Sequence, residues 1–299
     1  MSETSRPARL TVGLIGLGRV GAVLGAALAR AGHHVVAASG VSEASRRRRD
    51  ALLPGVPLRP ADEVAAAASG LLLLAVPDDV LPGLIDGLAA TGVVPAGALV
   101  AHVCGRYGPA VLDPLTRVGA LPLALHPVLT FTGTEVDVAR LAGARFGVTA
   151  PAALRPAAEA LVIEMGAEPV WVDEAFRELY HAALAWGANF LTTVVAQAAD
   201  LLGRAGIADP MPMLAPLLTA ALDNALRSSD RALTGPVARG DAGSVAAHLD
   251  VLAAAAPEVL PAYLALSRLT AERATASGLL RADNAGPLLA VLARHGPSR

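Results

Sequence analysis

Two parts of the sequence place proton-handling side chains at useful spacing. In Asp173-Glu174-Ala175-Phe176-Arg177-Glu178-Leu179-Tyr180-His181-Ala182-Ala183-Leu184-Ala185-Trp186-Gly187-Ala188-Asn189, helical spacing sets Arg177, His181 and Ala185 on one stripe, with Asn189 one step further on. Histidine exchanges a proton near neutral pH. An amide or phenol such as Asn189 or Tyr180 can hydrogen-bond a substrate, and an arginine can grip an anion through two parallel bonds. Reduction of a carbonyl or an imine needs such a set beside a hydride donor: a group that polarises the substrate and supplies a proton, and often a cation for its carboxylate. The competing reading makes His181 and Asn189 satisfied buried polar groups. Farther on, Leu233-Thr234-Gly235-Pro236-Val237-Ala238-Arg239-Gly240-Asp241 reads as a rigid turn between helices. There Arg239 could anchor a substrate anion or serve structure alone, Asp241 suits a helix cap, and His248 reads as structural.

A hydride donor requires a cradle, and Leu10 to Ser39 has its pattern. A short apolar run ends on Gly16-Leu17-Gly18-Arg19-Val20-Gly21, an alanine- and leucine-rich helical stretch runs to about Arg30, and a second apolar run follows Ala31-Gly32. In such a strand–turn–helix, the first glycine permits the sharp bend, the second lets backbone approach a pyrophosphate, and the third lets helix and strand pack closely. The helix N-terminus adds unpaired N–H groups and a positive dipole end. A dinucleotide fingerprint for NAD places an acid about 20 residues beyond the first glycine, to hold the ribose 2′-hydroxyl. Ala37, Ala38, Ser39 and Gly40 stand there instead, followed by Ser42-Glu43-Ala44-Ser45-Arg46-Arg47-Arg48-Arg49. A missing carboxylate beside arginines suits a 2′-phosphate, so the cofactor expected is NADP, with Ser39, Arg46 and Arg47 as phosphate contacts. The bland alternative is a solvated arginine face.

The elements that must carry these residues follow in order. Val56 to Arg59 reads as a short strand and Asp62 to Ala68 as a short helix. Leu71 to Val76 is an apolar run suited to a central parallel strand, ending in Pro77-Asp78-Asp79, where Asp78 could cap a helix to about Ala90. Ligands lie beyond the carboxyl ends of such strands, so Val76 and Pro77 should line the nicotinamide side. Strands at Ala98 to Val103 and Leu121 to Leu125 would bring Cys104-Gly105 and His126 to the same edge. Cys104 reads as a space-filling residue near the cofactor rather than a nucleophile; for His126, structural and active-site roles stay open. The threonine-rich loop Val128 to Leu141 could cover the site. Arg145 to Ala150 and Pro169 to Val172 read as two further strands, separated by a helix from about Pro151 to Gly166. The alternation predicts a doubly wound Rossmann-type α/β sheet over residues 1–172. From residue 173 to 299 the pattern is helical, predicting an all-helical domain that carries the candidate substrate-binding residues.

Composition narrows the alternatives. The 299 residues carry 24 basic and 26 acidic side chains, a net charge of −2, with an isoelectric point near 6.4, which gives no basic footprint for nucleic acid. All the basic residues are arginine, so lysine chemistry of any kind is excluded. The single cysteine excludes an internal disulfide or multi-cysteine metal site and fits a reducing compartment; no metal is expected. The polar opening MSETSRPAR lacks the apolar core of a secretory signal. With 54% hydrophobic residues and a mean hydropathy of +0.52, a membrane span must be weighed. Ala182 to Leu202 is the best candidate, but Asn189, Gln197 and Asp200 interrupt it, so a buried helix is expected.

The N-terminal half resembles the 6-phosphogluconate-dehydrogenase-like Rossmann group, which includes ketopantoate reductases, pyrroline-5-carboxylate reductases and β-hydroxyacid dehydrogenases. More closely, GLIGLGRVG, AVPDD, CGRYG, HPVLTFTG, FRELYHAALAWGAN and LTGPVARGD together resemble a bacterial family that pairs a Rossmann-like domain with a helical C-terminal domain of unknown function. The resemblance implies NADP-dependent reduction and homodimers built through the helical domain. In the ketopantoate and hydroxyacid members a lysine early in that domain is catalytic and an asparagine follows; Asn189 fits the asparagine, while His181 stands nearest the vacant lysine role. The leading expectation is a cytoplasmic NADPH-dependent reductase of a small keto acid, 2-dehydropantoate being one candidate, with His181 as general acid and Asn189 orienting the substrate. An imine reductase resembling pyrroline-5-carboxylate reductase, and a non-catalytic NADP-binding sensor, are the alternatives.

Overall fold

The protein's computed structural model describes residues 9–294; of the polar opening read above, only Arg9 falls within that range. The chain forms two compact units that divide between Ala188 and Asn189.

In the first unit, seven strands form one sheet: β1 (Thr11–Ile15), β2 (His34–Ser39), β3 (Leu71–Leu74), β4 (Leu99–His102), β5 (Leu121–Val128), β6 (Arg145–Thr149) and β7 (Glu168–Trp171). Their order is β2-β1-β3-β4-β5-β6-β7. All neighbours run parallel except β5 and β6, so the last two strands oppose the first five. The connecting helices are α1 (Arg19–Arg30), α2 (Glu43–Leu52), α3 (Ala61–Ala67), α4 (Leu81–Thr91), α5 (Asp113–Thr116), α6 (Glu135–Arg140) and α7 (Arg155–Glu164). The four leucines of β3 show why this strand reads as a continuous apolar run. Leu71 and Leu73 enter one buried cluster with Leu24, Leu28 and Val162, and Leu72 and Leu74 enter the opposite one with Val64, Ile85 and Leu88. A strand covered on both faces has no polar side to display.

The second unit holds α9 (Met211–Ser228), α10 (Gly235–Arg239), α11 (Ala242–Ala255), α12 (Leu260–Ala276) and α13 (Ala282–Arg294), and α8 (Arg177–Arg204) spans the division. Val245, Leu249, Leu264, Ala271, Leu288 and Leu292 form its core. Asp241 caps α11 by accepting from the Ser244 amide at 3.0 Å, as its sequence position suggests.

Several local expectations need correction. Val56 to Arg59 makes no strand, only a single bridge from Leu58 to Ala38 of β2, because Pro57 within it and Pro60 after it leave little room for a ladder. Asp78 caps nothing: α4 begins at Leu81 behind Val80, without a side-chain cap. β5 runs on to Val128, so His126 lies inside a strand rather than beyond one. β4 pairs with β5 only as far as Ala124, and His126 and Pro127 pair with Gly147 and Phe146 of β6. Lastly, α8 is not a buried helix: Arg177 is its one buried residue. By length and composition, the helical stretch Glu174–Arg204 is also apolar enough to cross a membrane.

Candidate active site

The sheet order reverses between β1 and β3, and both strands deliver their carboxyl ends there, where open α/β sheets bind ligands. Each glycine of the turn after β1 shows its constraint. Gly16 has φ +101°, and a Cβ on it would stand 2.3 Å from the Ala75 carbonyl oxygen. On Gly21 a Cβ would stand 2.0 Å from the Gly16 carbonyl oxygen and 2.8 Å from the Ala75 side chain. Around Gly18 a Cβ would meet nothing within 4 Å. Sterically, then, Gly16 and Gly21 are required by the protein itself, while the absence of a side chain at Gly18 only keeps a space open. Gly18 is also the N-cap of α1 and, having no side chain, caps none of the first-turn N–H groups beside that space. This cradle fits a dinucleotide pyrophosphate. Leu17 is buried, whereas Arg19 is exposed and Val20 half-buried at the start of α1. Ser39 ends β2, and its carbonyl accepts from the Gly16 amide at 3.0 Å.

Of the arginine run on α2, Arg46 is exposed, Arg47 pairs with Glu43 and Arg49 pairs with Asp50 at 2.9 Å. Arg48 lies across to the glycine turn, its Nη1 3.5 Å from the Leu17 carbonyl oxygen. The sequence reading passed over Arg48; a helical wheel anchored on buried Ser45 and Leu52 would have placed it on the inward side.

A second cluster lies at the carboxyl ends of β3 and β4. His126 Nδ1 and the Tyr180 hydroxyl share a hydrogen bond of 2.8 Å. His126 and His181 meet edge to face, ring centres 6.0 Å apart. Gly105 packs between them: a Cβ there would stand 2.5 Å from His181 Cδ2 and 3.1 Å from His126 Nε2. Burial first, then the charge of Arg177 and the neighbouring His181, lower the His126 pKa to about 4, so its imidazole is neutral. Burial raises the Tyr180 pKa against the pull of Arg177. Burial, and next the adjoining Asp78, push the Cys104 thiol up to about 12. It therefore stays a thiol, consistent with the space-filling reading of this residue.

The loop after β4 is braced from within. His102, fully buried, accepts the Cys104 amide on Nδ1 at 3.2 Å, so its Nε2 carries the proton and donates to the Gly108 carbonyl at 3.1 Å. Burial lowers its pKa to about 4. Arg177, 1% exposed, is the main tie between this loop and the sheet. It donates to the carbonyls of Cys104 at 2.8 Å, Tyr107 at 3.0 Å and Gly147 at 3.0 Å, and to the Thr149 hydroxyl at 3.3 Å. Its guanidinium is committed to backbone and cannot hold a substrate anion.

His181 opens onto a cleft of about 490 Å³ lined by Asp78, Asp79, Arg106, Glu178 and Ala182. Arg106 lies 3.9 Å from Glu178, so the two aspartates are left with no cation to balance them in the lining. Val76 and Pro77 lead from β3 into this region, Val76 half-buried and Pro77 exposed. Thus His126, Tyr180, His181, Cys104 and Gly105 come together as one cluster. Asn189 and Arg239 belong to the second unit, where Arg239 ends α10 and its carbonyl accepts from Asn284 at 3.3 Å. Besides Arg48, sequence reasoning missed Asp78 and Asp79 as cleft acids and His102 as the brace; a place at or beyond the carboxyl end of a strand is the signal these three share.

Residues 1–127 match the profile of the Rossmann-like domain, and residues 144–270 match the domain of unknown function DUF2520. No curated protein matches the sequence. Among solved structures, a Bacteroides fragilis protein inferred to be an NADP oxidoreductase is 24% identical, with a TM-score of 0.73 over 88% of this chain and 98% of that one. A reductive aminase from Aspergillus terreus, solved with NADPH and ethyl levulinate, is 19% identical, with a TM-score of 0.61 over 95% and 99% of the chains. Pyrroline carboxylate reductase from Plasmodium falciparum, solved with NADP, is 12% identical, with a TM-score of 0.54 over 88% and 98%.

Proposed function

We propose that this chain, a Rossmann-like domain joined to a DUF2520 domain, is an NADP-dependent oxidoreductase that reduces the C=N bond of a cationic imine. The observation that carries the substrate class is the charge of the cleft at His181: Asp78, Asp79 and Glu178 against Arg106 alone. An anionic keto acid would enter a lining of its own sign, and the buried arginine that might have received its carboxylate is spent on backbone carbonyls. The 2-dehydropantoate reading loses its support on that ground, whereas a protonated imine finds two unbalanced carboxylates.

Gly16, Gly18, Gly21 and the α1 N-terminus would hold the pyrophosphate of the cofactor. When bound, NADPH supplies the hydride. His181, open to the cleft, is placed to exchange the proton on the substrate nitrogen, and neutral His126 with Tyr180 holds the wall against which His181 packs. The named activities of the reductive aminase and the pyrroline carboxylate reductase agree with this class.

The reading extends to a homodimer and a cytoplasmic location. Leu191, Val194, Leu217, Leu222 and Leu226 on α8 and α9 are exposed, Leu226 by 79%, an apolar surface that a second copy would cover. A lone, buried cysteine suits a reducing compartment. The test is NADPH oxidation by the purified full-length chain across cyclic imines such as 1-pyrroline, ketone–amine pairs and 2-keto acids. Turnover confined to the imine-forming substrates is expected. Turnover of keto acids alone would overturn the substrate class, and NADPH binding without any turnover would favour the non-catalytic sensor.

A further inference from the structure

The loop after β5 packs beside the glycine turn. Its tip, Thr132-Gly133-Thr134, lies against the helices that flank the glycine turn. Gly133 has φ +83°, and a Cβ on it would stand 2.8 Å from Arg48 Nε and 3.1 Å from Arg19 Cα. The tip is held rigidly from beneath. Asp137, fully buried, accepts with one oxygen from the amides of Thr132 and Gly133, both at 2.7 Å, and from the Thr132 hydroxyl at 3.0 Å. The Thr132 and Thr134 hydroxyls lie 2.9 Å apart and are exposed.

Between this tip and α2 lies a cavity of about 370 Å³ lined by Arg47, Arg48, Thr132, Thr134 and Glu135. Its charges are unequal in availability. Arg47 is paired with Glu43, and Glu135 with Arg30. Among the described residues, no carboxylate lies in ion-pair reach of Arg48. One half-buried guanidinium and the Thr134 hydroxyl thus face a shared space, and the same guanidinium reaches back to the Leu17 carbonyl of the glycine turn. A phosphate monoester has the charge for the first and acceptor oxygens for both.

Resting on the NADP reading above, we propose that this cavity takes the 2′-phosphate of the cofactor, gripped by Arg48 and by the Thr134 hydroxyl, whose proton turns from Thr132 to the phosphate, while Thr132 stays bound to Asp137. Arg48, rather than Ser39, Arg46 or Arg47, then distinguishes NADPH from NADH. The turn clamped by Asp137 is the positioning device, supplied by a loop six helices and strands downstream in the chain. Phosphate selection would therefore depend on two segments about 85 residues apart (Arg48 and Gly133), which a motif confined to the end of β2 cannot express.

The test is calorimetric titration of the full-length chain with 2′,5′-ADP and with 5′-AMP. Arg48→Gln should weaken 2′,5′-ADP on the order of 10- to 100-fold, the range for losing a charge-assisted bond, and leave 5′-AMP unchanged. Unchanged 5′-AMP binding and an unchanged melting temperature serve as the folding control. Thr134→Val should weaken 2′,5′-ADP in the same direction by less, and Arg46→Gln should leave it alone. Should Arg48→Gln bind 2′,5′-ADP like the wild type, or Arg46→Gln carry the loss, the assignment is overturned while the oxidoreductase reading stands. A wild-type chain that binds NADPH and NADH equally would have the same meaning. A wild-type chain that binds neither NADPH nor 2′,5′-ADP would end both.

Discussion

Arg177→Met would remove the cation at the centre of the first unit, and its cost can be worked from the contacts. The guanidinium satisfies the carbonyls of Cys104, Tyr107 and Gly147 and the Thr149 hydroxyl, at 2.8 to 3.3 Å, from a site 1% exposed. Each orphaned buried carbonyl costs about 1–3 kcal/mol. Against this, the variant no longer buries a charge, and the same burial that lowers the Arg177 pKa shows that this cost is real. The net expected loss is about 3 kcal/mol, or a fall in melting temperature of about 6–12 °C for a domain of this size. Arg177→Lys keeps the charge but not the planar fork, and a single ammonium cannot reach acceptors on the loop after β4 and on β6 together; it should recover less than half of the loss. Urea unfolding of both variants, followed by circular dichroism, measures this. A loss below about 1 kcal/mol for Arg177→Met, or full rescue by lysine, would refute the view that fork geometry fastens the loop to the sheet.

Further outcomes follow from the same contacts. Gly18→Ala should fold like the wild type yet lose NADPH affinity, because its Cβ enters the open space, whereas Gly16→Ala should be destabilised by its +101° backbone and the Ala75 carbonyl; fluorescence titration with NADPH and thermal melting separate the two. Gly105→Ala has an ordinary backbone but drives a Cβ to 2.5 Å from His181 Cδ2, so turnover should fall by about 10- to 100-fold with NADPH affinity kept. In acid, His102 and His126 both resist protonation when folded, with pKa values lowered to about 4 from 6.5. The unfolded chain then binds more protons, and stability should fall as pH drops from about 6.5 to about 4, by about 3 kcal/mol for the fully buried His102. His102→Gln should flatten that pH dependence in urea titrations.

Which features were legible in the sequence depends on whether the signal is local. The glycine turn, the leucines of β3 and the alternation of strands and helices are local, and each meets its expectation. His126 illustrates the opposite case. The dipeptide His126-Pro127 reads as the end of a strand because proline lacks a donor, but β5 has already parted from β4 at Ala124, so a proline costs little on the freed edge. Nothing around Arg177 in the sequence separates a guanidinium that meets substrate from one that meets three carbonyls on distant segments. The exposure of α8 was equally hidden, since composition gives a helix its apolar character without saying whether its own chain covers it.

The distribution of charge along the carboxyl edge of the sheet links the two proposals. Arg19, Arg46 and Arg48 gather beside β1 and β2, while Asp78, Asp79 and Glu178 gather beyond β3 and at the start of α8. On the two proposals together, a molecule with phosphates at one end and a reacting ring at the other would be given a single direction. The acidic end also discriminates between reactions. Reducing a carbonyl gathers negative charge on oxygen, beside two carboxylates with no cation to balance them. Hydride transfer to an iminium creates no such anion: the positive charge would leave the substrate carbon–nitrogen bond and pass to the nicotinamide. On the imine reading, the cleft would favour the charge present before, during and after the transfer, and it would oppose the charge that a keto acid develops.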